Sequence, residues 1–339
     1  MTALPQIHPT VTRPLLAALV AAFAGVSPSQ AALQTYTSDA NTLHLYTFDE
    51  AAGGSVTANS GSIGGNALAV RENNTTTGTN TSVLSTTMLG QTGFFGFGNA
   101  VSIAKVGTAA NPQNNEGVGY DFSANGAYSQ GSGTTTAAQD RITNYSTYFD
   151  TGSYTLEAMI NIPSTANTPS GQRSIISFES NINASRSMYL RIDGGNLQLG
   201  NAGSFRSIAI PTTGPDAFVA DAWFHVAVSH NPDSGGSTQF YWTRVDASRS
   251  IAASLGAAFT GAQVPASQTG SPNLALGTDS RQAFTESLGG LLDNVRISDV
   301  ARTADQFIFT AIPEPSSFAA LAGLGTIGFV ASRRRRSVC

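Results

Sequence analysis

The sequence predicts an all-β protein built as an antiparallel two-sheet sandwich. Two observations lead there. Short runs with period-two alternation recur along the chain, separated by Gly, Pro, Asn and Asp turns, and no long amphipathic helical pattern appears between Ala40 and Ala311. Composition agrees: there are 35 glycines among 339 residues, the charged fraction is 11%, and the one lysine is Lys105.

Taken in order, Leu43 to Asp49 (LHLYTFD) alternates, with Leu43, Leu45, Thr47 and Asp49 on one side and His44, Tyr46 and Phe48 on the other. Asn73 to Thr87 is rich in Thr and Asn and predicts a long exposed loop, as does Thr108 to Gln139. These are loop insertions near 60–95 and 108–150. Between them the Gly-spaced stretch Gly93 to Ile103 leads into a strand. Tyr154 to Ile162 (YTLEAMINI) puts Tyr154, Leu156, Ala158 and Ile160 on one face and Thr155, Glu157, Met159 and Asn161 on the other, and Pro163 ends it. Arg173 to Phe178 follows. Ser187–Ile192 and Asn196–Leu199 form a hairpin around Asp193-Gly194-Gly195, and Ala222–Ser229 with Gln239–Val245 form a second. Asn273 to Gly277 is a short strand. Leu288 to Arg302 (LGGLLDNVRISDVAR) reads as the closing strand, with Val295 and Ile297 on its apolar face, and is expected to pair with Leu43 to Asp49.

The two ends carry different signals. Arg13, an apolar run from Leu15 to Val26 and the small-x-small site Ser29-Gln30-Ala31 read as a secretory signal over 1–31, cleaved after Ala31. At the other end, Pro313-Glu314-Pro315 precedes an apolar run, Phe318 to Ala331, and then Arg333, Arg334, Arg335 and Arg336. The prolines stop the fold, and the arginines hold their side of a membrane because moving them across is costly. The run is short of the about 20 residues of a permanent span, which points to transient anchoring through 318–331.

This three-part order resembles the PEP-CTERM sorting tails of Gram-negative bacteria, over residues 312–339. The resemblance implies recognition by an exosortase-type membrane enzyme that removes the tail, and export to the cell surface, outer envelope or extracellular matrix. The sole cysteine, Cys339, would leave with the tail. Losing five arginines and Glu314 takes the formal charge from −4 to −8, so the mature chain is acidic and nucleic-acid binding through a basic patch is excluded.

The ordered set LHLYTFDE, FGNAVSI (Phe97 to Ile103), YTLEAMI, the Asp193-Gly194-Gly195 hairpin, Trp223-Phe-His-Val-Ala227, Leu274 to Gly277 and LGGLLDNVRISDVAR resembles the LamG-like jelly rolls of the concanavalin A-like lectin/glucanase superfamily. One such domain over 32–311 is implied. The resemblance gives Trp223 and His225 structural roles and makes Glu157 a buried, hydrogen-bonded carboxylate. Superfamily members often carry a Ca²⁺ bound between first and last strands, and Asp49 and Asp293 occupy matching places, as suits a hard-oxygen cation.

Catalytic patterns are missing. The Glu-x-Asp-x-Glu pair of related glycoside hydrolases does not occur, since Glu50, Glu72, Glu116, Glu157, Glu179 and Glu286 are scattered. No Gly-x-Ser-x-Gly elbow or His/Cys zinc cluster is found. His44 reads as a strand side chain and His230 as a solvated residue at a turn. The expectation is therefore non-catalytic recognition of polysaccharide, including exopolysaccharide, or glycoconjugate. A structural matrix protein without a dedicated ligand and a divergent glycoside hydrolase are the alternatives. Phe94, Phe95, Phe97, Tyr120, Tyr145 and Tyr148 are available for stacking on sugars, with none singled out.

Overall fold

The computed structural model describes residues 33–308 except 34, 63–66, 75–80, 95, 107–114, 120–148, 150–151, 165–170, 180–185, 201–203, 247–248, 250, 262–272 and 280–285. The signal segment 1–31 and the tail, with Pro313, Glu314, Pro315 and the arginines 333–336, lie outside the described residues. The described residues of 33–308 belong to one compact unit. Among the described residues, no helix is long and apolar enough to cross a membrane.

In chain order the strands are β1 (Thr42–Tyr46), β2 (Val56–Thr57), β3 (Leu68–Asn74), β4 (Thr81–Leu84), β5 (Gln91–Thr92), β6 (Asn99–Ile103), β7 (Glu116–Gly119), β8 (Tyr154–Asn161) and β9 (Arg173–Glu179). They continue as β10 (Arg186–Asp193), β11 (Asn196–Gly200), β12 (Phe205–Ala209), β13 (Trp223–Asn231), β14 (Ser237–Arg244), β15 (Phe259–Thr260), β16 (Asn273–Leu276) and β17 (Gly290–Ser298). The first sheet runs β15-β14-β13-β8-β17-β6-β5, with β1 also on β17, and the second runs β12-β11-β10-β9-β16-β7-β3-β2, with β4 on β3. Every described pairing is antiparallel, the two-sheet sandwich that the alternating runs predict.

The main core lies between the sheets. Tyr154, Leu156, Ala158 and Ile160 of β8, Val226 and Val228 of β13, and Val295 and Ile297 of β17 meet Ile176 and Phe178 of β9, Leu190 and Ile192 of β10, and Leu274 and Leu276 of β16. A second cluster covers the outer face of the first sheet, where Leu45, Met159, Ala227 and Tyr241 are capped by Tyr36, Phe307 and Ile308. Strand β8 is therefore buried on both faces.

Both predicted hairpins form, with Asp193 opposite Asn196 and Asn231 opposite Ser237. The closing strand pairs with the first: Thr42 faces Ser298, Leu45 faces Arg296 and Tyr46 faces Val295. Three expectations need correction. Strict alternation fails in β1, because an irregularity between Thr42 and His44 lets Leu43 and Tyr46 share the main core while Leu45 faces the other way. It fails again in β17, where a bulge between Asp293 and Arg296 puts Leu292, Val295 and Ile297 on one side. The segments read as loops also contain strands: β3 and β4 form a hairpin, and β7 links β3 to β16.

Candidate metal centre at the rim of the sandwich

The two irregular strands meet at one end of the molecule. After β1, Phe48 takes a left-handed conformation (φ 56°) although it is fully buried, and this turns Asp49 out of the strand line to an exposed position. On β17, Asn294 is also left-handed (φ 47°), at the bulge directly after Asp293. For Phe48 this conformation costs on the order of 1–2 kcal/mol, whereas asparagine adopts it readily, so the strain lies on the Phe48 side of the rim.

The turn between β5 and β6 lies between them. The Gly93 N–H donates to the Gly98 carbonyl at 3.3 Å and the Phe97 N–H to the Phe94 carbonyl at 2.8 Å. Phe94 and Phe97 pack edge to face at 5.5 Å. The Asn99 N–H donates to Asp49 Oδ1 at 3.1 Å, and Asn99 Nδ2 donates to the Asp49 and Glu50 carbonyls at 3.2 and 3.3 Å. A Cβ at Gly98 would collide with Asp49 Oδ1, and one at Gly93 would lie 2.9 Å from Asp293 Oδ2. One small turn thus brings both carboxylates against its backbone. Gly98 also needs φ +86°, so Gly98→Ala is expected to lower the unfolding free energy by at least about 1–2 kcal/mol, measured by urea titration.

Asp293 and Asn294 are both fully buried. Asn294 Nδ2 donates to Asp293 Oδ1 at 2.6 Å, while Asp293 Oδ2 and Asn294 Oδ1 have no hydrogen-bond partner. Burial pushes the Asp293 carboxyl up to about 8, the nearby Asp49 charge adds to this, and the Asn294 contacts and the Phe94 N–H oppose it. Among the described residues, Asp293 does not pair with an arginine. Arg296, its neighbour on the strand, goes instead to Glu157.

These residues fit a hard cation. Both carboxylates stand against one turn, and the buried oxygens Asp293 Oδ2 and Asn294 Oδ1 make no well-formed hydrogen bond although the Phe94 N–H stands close to the Asp293 carboxyl, a situation that is costly without a cation or proton. Asp49, Asp293 and Asn294 Oδ1 are the groups that would hold Ca²⁺, whose remaining positions are filled by backbone carbonyls or water in such sites. The bound ion would supply the positive charge that lets both carboxylates stay ionised together. Among the described residues no group of three or more His, Cys, Asp or Glu side chains stands close enough to hold a metal, so the centre rests on two carboxylates.

The remaining expected residues fall into structural networks. Glu157, fully buried on β8, stands opposite Arg296 and accepts from Arg296 Nε at 2.5 Å and from His225 Nε2 at 3.3 Å. Burial alone would raise this carboxyl, but Arg296 and His225 bring it below the usual range. Burial keeps His225 below its ordinary value, so a neutral ring with the proton on Nε2 faces the carboxylate. Trp223 is partly buried against the second cluster. His230 corrects its expectation: it is fully buried, its Nδ1 lies 2.8 Å from Thr238 Oγ1 across the hairpin, and its ring stacks on Tyr154 at 5.3 Å. Of the aromatics considered for sugar stacking, Phe94 and Phe97 sit at the rim, and Phe95, Tyr120, Tyr145 and Tyr148 lie outside the described residues.

On the outer face of the second sheet, sequence reasoning missed a further network. Arg191 donates through Nη1 to Glu286 at 3.2 Å, through Nη2 to Asp193 at 2.8 Å and through Nε to Gln198 at 3.1 Å, and lies 4.5 Å from the centre of the Tyr189 ring. Glu286 also accepts from Ser174 Oγ at 3.0 Å. The strand alternation of β10 and β11 was the available signal, since it puts Arg191 and Gln198 on one face.

Fold and rim together define an all-β, two-sheet sandwich with two carboxylates against one turn. The chain belongs to the concanavalin A-like lectin/glucanases superfamily, whose model matches residues 131–307, just over half of the sequence. A second match, to the PEP-CTERM protein-sorting motif, covers residues 311–336. That motif marks the chain for export in a Gram-negative bacterium to a surface or extracellular destination, and for exosortase processing.

Solved structures to which the chain is similar include the receptor-binding domain of botulinum neurotoxin type G (11% identity, 80% of this chain and 50% of that one, TM-score 0.40). Others are the CBM40 of the Ruminococcus gnavus IT-sialidase bound to alpha2,3 sialyllactose (14%, 48% and 83%, 0.36) and a Trypanosoma rangeli sialidase in complex with sialic acid (12%, 86% and 37%, 0.37). The chain spans about a quarter of the similar leech trans-sialidase and half of the neurotoxin domain. No curated protein matches the sequence.

Proposed function

We propose that this domain is a non-catalytic recognition module for polysaccharide or glycoconjugate, working at the cell surface or in the extracellular matrix, with the Asp49–Asp293 rim as its calcium-dependent contact region. The observation that carries the reading is that an exposed carboxylate, Asp49, and a buried one, Asp293, whose Oδ2 makes no well-formed hydrogen bond, both stand against the Phe94–Phe97 turn. A cation held there stiffens the turn and presents charge, beside the partly exposed Phe94, to a polar, hydroxyl-rich ligand. The superfamily and the sorting tail support the compartment and the ligand class, but a fold alone does not fix function.

The test is retention of the mature domain on exopolysaccharide and on a glycan array, in calcium and in EDTA. Binding in calcium that is lost in EDTA is expected. No retention on any glycan in calcium contradicts the reading.

A second reading, a divergent glycoside hydrolase, has one observation in its favour: a carboxyl raised to about 8 stands near a second carboxylate, the pattern of an acid paired with a base. The complete burial of Asp293 opposes it, because a general acid must reach the glycosidic oxygen. Release of reducing sugar from a polysaccharide panel, abolished in Asp293→Asn, would establish it in place of the first reading.

A further inference from the structure

The two sheet orders end at four strands, and three of these, β2, β5 and β15, have two residues each, too short to template another strand. The fourth, β12 (Phe205–Ala209), is different. It pairs with β11 along its whole length in one unbroken register, from Asn196 opposite Ala209 to Gly200 opposite Phe205. It carries no proline, lysine or bulge, the usual means of closing an edge. Its one charge is Arg206, whose guanidinium carbon lies 5.5 Å from the centre of the Phe259 ring in the first sheet. The strand is seated on the molecule through Ile208, which packs against the main core.

The backbone of β12 faces two ways. The Ile210 N–H donates to the Gly195 carbonyl at 2.9 Å, on the β11 side. An antiparallel ladder alternates, so Arg206 and Ile208 also turn their N–H and C=O groups to β11, while Phe205, Ser207 and Ala209 turn theirs outward. Among the described residues no backbone group pairs with these outward donors and acceptors. Beside them the Phe205 side chain is 60% exposed, against the ordinary preference of phenylalanine for the interior.

We propose that β12 is a docking edge for a second copy of this chain: two copies pair antiparallel about a two-fold axis at Ser207 and join their second sheets into one. A second copy is selected because the strand is complementary to itself. With the axis at Ser207, that residue faces Ser207 of the second copy, and Phe205 faces Ala209 of the other chain on either side. The outward groups of all three residues are then used, each facing pair exchanging two hydrogen bonds, and a large ring meets a small side chain twice. Arg206 comes opposite Ile208 of the second copy. Moving the axis to Arg206 leaves two facing pairs and sets like charges directly opposite each other, and moving it to Ile208 leaves Phe205 without a partner. A two-fold contact of this kind closes on itself and stops at two copies. It rests neither on the rim nor on glycan recognition.

The test is sedimentation velocity of the exported protein over a wide range of concentration, in about 0.15 M salt so that the charge on the acidic chains is screened. A monomer–dimer equilibrium is expected. Ser207→Pro removes an outward N–H that β11 does not use, and should raise the dissociation constant at least about tenfold while the domain stays folded. A monomer at every concentration, or a dimer that Ser207→Pro leaves equally tight, overturns the proposal. The register is read separately by cross-linking, which decides the matter even where the proline variant fails to fold. In a Cys339→Ser background, Ser207→Cys should oxidise to a covalent dimer, because facing Cα atoms of such a pair lie about 5.5 Å apart, within disulfide reach. Arg206→Cys in the same background, whose thiols do not face each other, should cross-link at least about tenfold less. Equal cross-linking of the two variants, or none in Ser207→Cys, contradicts the pairing.

Discussion

Replacing Arg296 with methionine should lower the unfolding free energy by about 3–5 kcal/mol, because it strands the Glu157 carboxylate where no water reaches it. Three contacts disappear together: the 2.5 Å bond to Glu157, the bond to the Gln306 carbonyl and the stacking on Tyr36. His225 remains beside Glu157 but is held neutral by burial, so it offers a hydrogen bond without a full charge. For a domain of this size the loss corresponds to a fall in melting temperature of roughly 10 °C. The double variant Glu157→Gln/Arg296→Met should recover much of it, since replacing both members removes the uncompensated charge. Urea unfolding of the two single variants and the double variant measures the coupling directly. Additive losses would show that the pair does not act as a unit.

In chelator, the wild-type protein should lose stability as pH rises from about 6.5 to above 8. Burial raises Asp293 to about 8 and Glu116 to about 7, each above its ordinary value. A carboxyl whose folded pKa is raised holds a proton in the native state that the unfolded chain has already released, so its contribution is complete below the unfolded value and is lost as pH climbs through the folded one. For Asp293 the contribution is on the order of 5 kcal/mol at most, and for the partly exposed Glu116 solvent makes it smaller. The histidines act in the opposite sense. His44 is lowered by burial to about 4, and His225 and His230 are lowered as well, so their contributions are present above the ordinary histidine value and fade as pH falls below it. Stability in chelator should therefore be greatest near pH 6. The Asp293→Asn variant should lose most of the alkaline decline, and a decline as steep as that of wild type would contradict the assignment to Asp293.

Much of this architecture is legible from turn chemistry and alternation. Asp193-Gly194-Gly195 announces its hairpin, and Tyr154 to Ile160 shows its core face in the sequence. The pairing of first and last strands and the position of Asp49 and Asp293 come from the family resemblance, and the structure brings both carboxylates to one turn. What the sequence hides are the local departures from regular pleating. The irregularity after Thr42 and the bulge after Asp293 invert the faces of the neighbouring residues; left-handed Phe48 is of a type that carries no turn signal, and Asn294, which could carry one, sits inside an apolar strand pattern that masks it. Strands β4 and β7 are short and rich in Thr, Ser and Gly, so their pairing comes from the sheet around them and not from their own propensity. His230 looked exposed because a turn follows closely, yet β13 continues through Asn231 and Thr238 meets the ring from the opposite strand.

Melting of the mature domain at pH 8 in EDTA and in millimolar calcium tests the proposed calcium ion at the rim most directly. At a calcium concentration a hundred times the dissociation constant, stabilisation is about 2.7 kcal/mol, or a rise in melting temperature of roughly 5–10 °C. In Asp293→Asn the order reverses: the variant should be more stable than wild type in EDTA, because it no longer buries an ionised carboxyl, and should gain little from calcium. A wild-type melting temperature that is the same in EDTA and in calcium contradicts the account.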